Sequence, residues 1–157
     1  MIIVTGGAGF IGSAIVWRLN TLGNNNVIIV DELGTTDKWK NLVGLKFQEF
    51  IHKDDFISAV VEDTVEFPIE AIIHMGANSS TTEKDADNLM SNNYLYTQEL
   101  AKYSLSKKIR FIYASSAATY GDGSLGFVDD ESKLETLRPL NMYGYSKQLF
   151  DLWAKKN

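Results

Sequence analysis

A glycine-rich segment near the amino terminus constrains the fold of this chain more than any other feature. The segment TGGAGFIG (5–12) places Gly6, Gly9 and Gly12 between an apolar run, MIIVT (1–5), and a stretch of helical periodicity. Gly6 permits a tight turn, Gly9 lets the backbone approach a pyrophosphate, and Gly12 lets helix and strand pack closely. The helix N-terminus then offers unpaired N–H groups to phosphate oxygens. The pattern predicts a strand, a nucleotide-binding loop and a helix.

An acidic residue about 20 positions after the glycines strengthens this interpretation. Asp31 ends a second apolar run, VIIVD (27–31), and is expected to bind an adenosine ribose. Glu32 follows it, and two neighbouring acids would repel the 2′-phosphate of NADP. Lys38 and Lys53 are both in a position to neutralise that repulsion. The residues alone therefore leave NAD and NADP open as cofactors.

The rest of the chain alternates short apolar runs with segments of helical period. We predict a helix over 10–22 and, after the strands at 1–5 and 27–31, further strands at 45–50, 71–77 and 109–116. Helices are predicted over 54–63, over 85–107 and from about Met142, with a long polar loop at 117–140. Strands that are apolar on both faces and alternate with helices indicate a Rossmann-like α/β fold, a doubly wound parallel sheet. We assign residues 1–157 to one NAD(P)-binding domain.

Composition excludes several classes of function. The 157 residues carry a net charge of −5, which argues against a nucleic-acid partner. They contain no cysteine, so disulfides and thiolate metal sites are excluded. No apolar run reaches the ~18 residues that span a membrane, and we expect a soluble cytoplasmic domain. His52 and His74 lack acids at ligand spacing, so we predict no metal and expect His74 to pack or hydrogen-bond at a strand end.

A tyrosine and a lysine one helical turn apart indicate proton-transfer chemistry. Tyr143 and Lys147 lie at i and i+4 and share one helix face. A free tyrosine has a pKa of about 10, and a nearby ammonium together with an oxidised nicotinamide favours its phenolate. Lys147 is also able to hold the nicotinamide ribose. Ser116, at the end of the fifth predicted strand, is expected to hydrogen-bond the substrate oxygen that Tyr143 deprotonates.

Two other tyrosines lie close to these residues in sequence. Tyr145 has no lysine four residues later, and we expect it to be a packing residue. Tyr120 lies in the predicted loop, where it either packs within that loop or forms part of the wall near the nicotinamide.

Taken together, these residues resemble the extended short-chain dehydrogenase/reductase family, the NAD-dependent epimerases and dehydratases that act on nucleotide sugars. Four further segments resemble the members that epimerise C6 of an ADP-heptose, a precursor of lipopolysaccharide. These segments are GANSSTTE (76–83), NNYLYTQEL (92–100), YASSAATYG (113–121) and PLNMYGYSK (139–147). The resemblance extends over essentially the whole chain.

The resemblance implies a role for each matching residue. Tyr143 would be the acid/base, Lys147 its partner on the cofactor ribose, and Ser116 the ligand of the substrate hydroxyl. Family members prefer NADP and are homo-oligomers, and Lys38 and Lys53 match positions that hold the 2′-phosphate, although Glu32 replaces an expected asparagine. The implied cofactor contacts are Gly6, Gly9, Phe10, Ile11, Gly12, Asp31, Glu32, Lys38, Lys53, Met75, Gly76, Ala77, Asn78, Ser79, Asn92 and Lys147.

The resemblance also implies a redox-neutral reaction and a longer enzyme. Hydride leaves C6 for NADP⁺, and the resulting ketone takes it back on its opposite face. Family enzymes carry a substrate domain with a second acid/base, a lysine, after the part that these residues match. We therefore expect either a piece of a longer protein or a short relative that another chain completes.

Two alternatives remain at this point. One is a different nucleotide-sugar enzyme of the family, a 4-epimerase or a 4,6-dehydratase. The dehydratase is disfavoured because Tyr120, Gly121 and Asp122 offer no Asp-Glu pair after Thr119. The other is an NADP-binding module without turnover, which is the outcome that we expect for the isolated 157 residues.

Overall fold

The sheet consists of five parallel strands in a computed structural model that describes all residues from Met1 to Asn157. The strands are β1 (Ile2–Thr5), β2 (Val27–Asp31), β3 (Glu49–His52), β4 (Ala71–His74) and β5 (Arg110–Tyr113). Their order is β3-β2-β1-β4-β5, and every neighbouring pair is parallel. The strand order reverses between β1 and β4, which is where ligands bind in doubly wound sheets. The predicted α/β fold is confirmed.

Helices and shorter helical turns connect the strands. The α-helices are α1 (Phe10–Thr21), α2 (Lys53–Val61), α3 (Ala86–Leu89), α4 (Tyr96–Lys107) and α5 (Met142–Lys156). A π-helical segment, Met90–Leu95, joins α3 to α4, and 3₁₀ turns lie at Asp37–Leu42, Ala117–Tyr120 and Glu131–Thr136. None of the helices has both the length and the apolar character needed to cross a membrane.

The centre of the sheet is apolar on both faces, as the sequence predicted. Every residue of β2 is buried, and Val4 of β1 is fully buried. Val16 of α1 packs against Val4, Val27 and Ile29 in one core cluster. Burial of these side chains, at about 25 cal/mol per Å² of apolar surface, stabilises the contact between α1 and the sheet.

Several predicted elements differ from the structure. The strand predicted at 71–77 ends at His74, and the helix predicted over 85–107 contains the π-helical segment Met90–Leu95. The strand predicted at 45–50 begins only at Glu49, and Leu45 and Phe47 pack on the core cluster from irregular backbone before it. The strand predicted at 109–116 ends at Tyr113. The predicted loop at 117–140 contains two 3₁₀ turns.

The chain divides into two compact units. Met1–Gly76 with Glu99–Tyr113 form the first, called here the sheet unit, and Ala77–Gln98 with Ala114–Asn157 form the second, the tyrosine unit. The sheet unit contains all five strands and the glycine loop. The tyrosine unit contains Ser116, Tyr143 and Lys147.

Candidate functional site

The glycine loop of the sheet unit has no room for side chains at two of its glycines. Gly6 has a φ of +65°, and a Cβ there would lie 2.7 Å from the backbone nitrogen of Gly76. A Cβ on Gly12 would lie 2.1 Å from the carbonyl oxygen of Gly6. Gly9 donates its N–H to the same oxygen at 2.9 Å and caps α1. The first turn of α1 is therefore pressed against the end of β1.

The first amides of α1 are available to an anion. The helical hydrogen bonds begin with the N–H of Ser13, which reaches the carbonyl of Gly9 at 2.9 Å. The N–H groups of Phe10, Ile11 and Gly12 precede it and have no acceptor within the helix. The side chains of Phe10 and Ile11 are 88% and 62% exposed. Such a helix N-terminus is suited to a phosphate group.

Asp31 holds the middle of the glycine loop. Its Oδ2 accepts the N–H of Ala8 at 2.8 Å, and its Oδ1 accepts the N–H of Glu32 at 2.7 Å. Asn41 donates its side-chain amide to the carbonyl of Ala8 at 2.8 Å. The N–H and the carbonyl of Ala8 are thus both hydrogen-bonded to side chains. Sequence reasoning selected Asp31 as a ribose ligand and missed Asn41, which lies on a 3₁₀ turn without a visible period.

Two lysines balance the acids at the carboxyl end of β2. Lys38 Nζ lies 2.5 Å from Asp31 Oδ1 and donates to the carbonyl of Glu32 at 3.1 Å. Lys53 Nζ lies 3.3 Å from Glu32 Oε1. Both lysines predicted to face a 2′-phosphate therefore lie beside the two acids predicted to repel it.

The end of β4 is fastened to the end of β1. Thr5 Oγ1 lies 2.6 Å from Nδ1 of His74 and accepts the N–H of Gly76 at 3.1 Å. His74 is 2% exposed, and its ring stacks on Phe111 with the centroids 6.0 Å apart. The prediction that His74 packs and hydrogen-bonds is confirmed, whereas Thr5 was missed. No group of three or more His, Cys, Asp or Glu side chains is arranged to hold a metal ion.

In the tyrosine unit, α5 carries both residues of the tyrosine–lysine pair. Lys147 is 6% exposed and donates to the carbonyl of Ala114 at 3.1 Å. Burial lowers the pKa of Lys147, and the charge of Asp151 partly opposes that effect. Tyr143 is half-buried, and no hydrogen bond within the chain holds its hydroxyl. A phenol with a free hydroxyl one turn from a buried ammonium is suited to exchange a proton with a ligand.

Ser116 begins the 3₁₀ turn Ala117–Tyr120 rather than ending a strand. Its Oγ accepts the N–H of Ala118 at 3.1 Å, which leaves the hydroxyl proton for another acceptor. The ring of Tyr120 meets Phe127 edge-on with the centroids 5.6 Å apart, which favours packing within the loop. Tyr145 is 46% exposed, so it is covered by the protein over only part of its surface.

Asn93 is a buried polar residue that sequence reasoning missed. It is 0% exposed and lies in the π-helical segment. Its Oδ1 accepts the N–H of Asn78 at 2.8 Å, and its Nδ2 donates to the carbonyl of Asn78 at 2.9 Å and to Ser146 Oγ at 3.1 Å. The neighbouring Asn92, selected as a cofactor ligand, donates to the carbonyl of Asn88 at 3.0 Å. Two adjacent asparagines in a helix do not reveal which one points inward.

The side chain of Asn78 is also committed within the protein. Its Nδ2 donates to Asn88 Oδ1 at 2.9 Å and to Glu83 Oε2 at 3.3 Å. Glu83 also accepts the N–H groups of Asp85 and Lys84, and these hydrogen bonds, with that from Asn78, lower its pKa. Among the other residues predicted in this loop, Met75 and Gly76 are half-buried, and Ala77 and Ser79 are exposed. Asn78 therefore shapes the loop, and its exposed neighbours are the ones open to a ligand.

Removal of the Asn93 side chain is expected to destabilise the protein. Asn93→Ala leaves the N–H and carbonyl of Asn78 without their partners, which costs about 3 kcal/mol. Urea unfolding followed by circular dichroism measures the loss. Ser91→Ala, an exposed change in the same π-helical segment, should stay within about 0.5 kcal/mol of the parent. Equal midpoints for the two variants would refute the structural role of Asn93.

Comparison with known proteins gives a family. The family model described as the NAD dependent epimerase/dehydratase family matches residues 2–156. The chain belongs to this family. The resemblance inferred from the motifs is therefore confirmed.

Two curated relatives and one solved structure that resemble this chain share a name. A relative from Nitratidesulfovibrio vulgaris, named ADP-L-glycero-D-manno-heptose-6-epimerase, is 56% identical over 154 residues, covering 98% of this chain and 48% of the relative. One of the same name from Fusobacterium nucleatum is 54% identical over 158 residues, covering 99% and 48%. The crystal structure of the Helicobacter pylori protein of that name matches with a TM-score of 0.82 and 29% identity, over 99% of this chain and 49% of that one. The chain thus spans about half the length of the curated relatives it matches.

Proposed function

We propose that this chain supplies the cofactor-binding and proton-transferring residues of an ADP-L-glycero-D-manno-heptose 6-epimerase. The observation that carries the proposal is the free hydroxyl of Tyr143 one helical turn from the buried ammonium of Lys147. The choice of sugar follows the name shared by the relatives that are 54% and 56% identical. The homo-oligomeric state that the family resemblance implies and the cytoplasmic location expected from the composition belong to the same proposal.

The sheet unit fits a dinucleotide. Gly6 and Gly12 leave no space for side chains, and the free amides of Phe10 and Ile11 are available to a pyrophosphate. We assign NADP, with NAD as the alternative, because the family resemblance implies it and because Lys38 and Lys53 offset the negative charges of Asp31 and Glu32 at the end of β2. A nicotinamide held by the glycine loop and Lys147 would supply the hydride acceptor and donor that inversion at C6 requires.

The residues of the tyrosine unit carry out the proton transfer. Tyr143, as a phenolate, removes the proton of the C6 hydroxyl, and the ammonium of Lys147 stabilises that phenolate. Ser116 donates its free hydroxyl proton to the same sugar oxygen and orients it. The ketone is then reduced on its opposite face, and its oxygen takes up a proton. The family resemblance assigns that protonation to a second acid/base outside these residues.

A chimera tests the proposal. Residues 1–157 replace the 48% of the Nitratidesulfovibrio vulgaris relative that they match, and the product is supplied with ADP-D-glycero-D-manno-heptose. We expect conversion to the L-glycero epimer, followed by NMR, at a rate within about tenfold of the relative itself. A folded chimera that binds NADP but leaves the sugar unchanged would contradict the proposal. Conversion of UDP-glucose in preference to ADP-heptose would favour a 4-epimerase.

In a second reading of the function, the isolated chain binds the cofactor without turning over a substrate. The 157 residues span about half the length of the relatives that they match. The second reading predicts that these residues alone bind NADP in calorimetry and convert no ADP-heptose. Conversion by the isolated chain would refute this second reading and leave the epimerase proposal intact.

Cofactor preference should respond to the charges at the end of β2. Glu32→Gln removes a partly exposed negative charge near the expected 2′-phosphate and should raise the NADP/NAD affinity ratio by about fivefold. Lys53→Ala should lower that ratio by a similar factor. Calorimetric Kd values for both cofactors measure the effect on the 157-residue chain. Glu62→Gln, an exposed change at the end of α2, is the control and should leave the ratio unchanged.

A further inference from the structure

Helix α5 binds two consecutive residues of the tyrosine unit, Ala114 and Ser115, through Lys147 and Asp151. The ammonium of Lys147 donates to the carbonyl of Ala114 at 3.1 Å. The hydroxyl of Ser115 donates to Asp151 Oδ2 at 2.5 Å. Lys147 and Asp151 lie at i and i+4, so both bonds come from one face of α5. The next residue, Ser116, is therefore placed by two bonds from successive turns of one helix.

Asp151 is a buried acid that the proposed reaction does not use. It is 6% exposed, as is Lys147. A charge removed from water in this way is strongly disfavoured unless an opposite charge or hydrogen bonds compensate. Burial lowers the pKa of Lys147, and Asp151 is the group whose charge raises it.

Other titratable groups lie on the elements packed against α5, but their charges do not act on Lys147. Those elements are α3, the π-helical segment and the two 3₁₀ turns of the tyrosine unit. Their titratable side chains are Asp87, Tyr94, Tyr120, Glu131, Lys133 and Glu135. None of them contributes to the lowered pKa of Lys147.

We propose that Asp151 is the buried counter-ion of Lys147 and that its bond to Ser115 aligns Ser116 with the tyrosine–lysine pair. As regards Tyr143 and Ser116, the inference rests on the proposed function. Asp151 is a positioning residue, since it acts through Lys147 and Ser115. Without its charge, Lys147 would lose its proton at lower pH, and the phenolate of Tyr143 would lose its stabilising cation.

Two substitutions separate the charge of Asp151 from its hydrogen bond. Asp151→Asn keeps an acceptor for Ser115 and removes the charge, whereas Ser115→Ala keeps the charge and removes the donor. The pKa of Lys147 is read by NMR titration of the 157-residue chain with ¹³C at lysine Cε, and Lys147→Arg assigns the signal. We expect Asp151→Asn to lower the pKa of Lys147 by about one unit, a tenfold change in its proton affinity. Ser115→Ala should leave the pKa within about 0.3 unit.

Controls keep the test decisive. Asp151→Glu retains the charge and should restore the pKa, while Glu131→Gln, on a neighbouring 3₁₀ turn, should not change it. If Asp151→Asn does not fold, Asp151→Ser removes the same charge with a smaller side chain. An unchanged Lys147 pKa in a folded, charge-free variant would overturn the proposal. Because the titration needs neither sugar nor turnover, it is independent of whether the epimerase proposal fails.

The kcat–pH profile of the chimera is a second measurement, and a purely structural role of Asp151 would leave that profile unchanged. Asp151→Asn should shift the alkaline limb of its kcat–pH profile to lower pH, since Lys147 becomes neutral there. Ser115→Ala should lower kcat by about tenfold, because Ser116 is less well aligned, without shifting that limb. A uniform loss of rate in both variants, with identical pH profiles, would also contradict the counter-ion role.

Discussion

Tyr143→Phe should reduce epimerisation by the chimera about 1,000-fold, the effect expected when a general acid/base is lost. Phenylalanine keeps the ring in the half-buried position on α5 and removes only the hydroxyl, which no other group of the chain engages. The affinity for NADP should stay within about twofold, because Lys147 and the glycine loop are unchanged. The rate is measured by NMR with ADP-heptose and the affinity by calorimetry.

Tyr145 provides a matched control for this substitution. It lies two residues further along the same helix and is 46% exposed. Tyr145→Phe should therefore leave the rate within about twofold of the parent. A Tyr143→Phe chimera that retains more than about a tenth of the parent rate would show that another group handles the proton.

Gly12→Ala should have the largest effect in the sheet unit. The added Cβ would lie 2.1 Å from the carbonyl oxygen of Gly6 and 2.8 Å from Cα of Gly7. Both neighbours are backbone atoms, so α1 must shift by about 1 Å, at a cost of about 3 kcal/mol. The shift also moves the free amides of Phe10 and Ile11, and the Kd for NADP should rise at least about 100-fold. Calorimetry and urea unfolding measure the two effects.

Ser13→Ala, one residue further along α1, is the control. The hydroxyl of Ser13 bonds only within its own helix, to the carbonyl of Phe10 at 3.2 Å. Its loss should change stability by less than about 0.5 kcal/mol and leave the Kd for NADP within about twofold. Equal behaviour of the Gly12 and Ser13 variants would contradict the close packing of α1 on the loop.

Sequence patterns predicted the strands whose surroundings are uniform. β1 and β2 are apolar on both faces, so their burial is encoded locally. The predicted start of β3 is too early because Leu45 and Phe47 are as apolar as strand residues, yet they pack on the core from irregular backbone. β5 was extended too far because Ala114 and Ser115 face α5 through bonds to residues more than 30 positions away. Periodicity carries no information on such partners.

The residues of the candidate site also differ in whether sequence patterns predict them. Gly6, Gly12, Tyr143 and Lys147 form motifs of fixed spacing, and the structure places them as the motifs require. Thr5, Asn41, Asn93 and Asp151 belong to no short motif, and each acts through a partner that lies far away in the sequence. A buried asparagine or aspartate looks in sequence like an exposed one, so only tertiary structure reveals these supporting residues.

The fate of the hydrogen at C6 tests the central claim most directly. ADP-D-glycero-D-manno-heptose carrying deuterium at C6 is converted by the chimera in ordinary water, and the product is analysed by NMR. If the hydride leaves and returns within one active site, the L-glycero epimer keeps its deuterium at C6. Replacement of the deuterium by solvent hydrogen, or inversion that proceeds unchanged after Tyr143→Phe, would contradict hydride transfer assisted by the tyrosine–lysine pair.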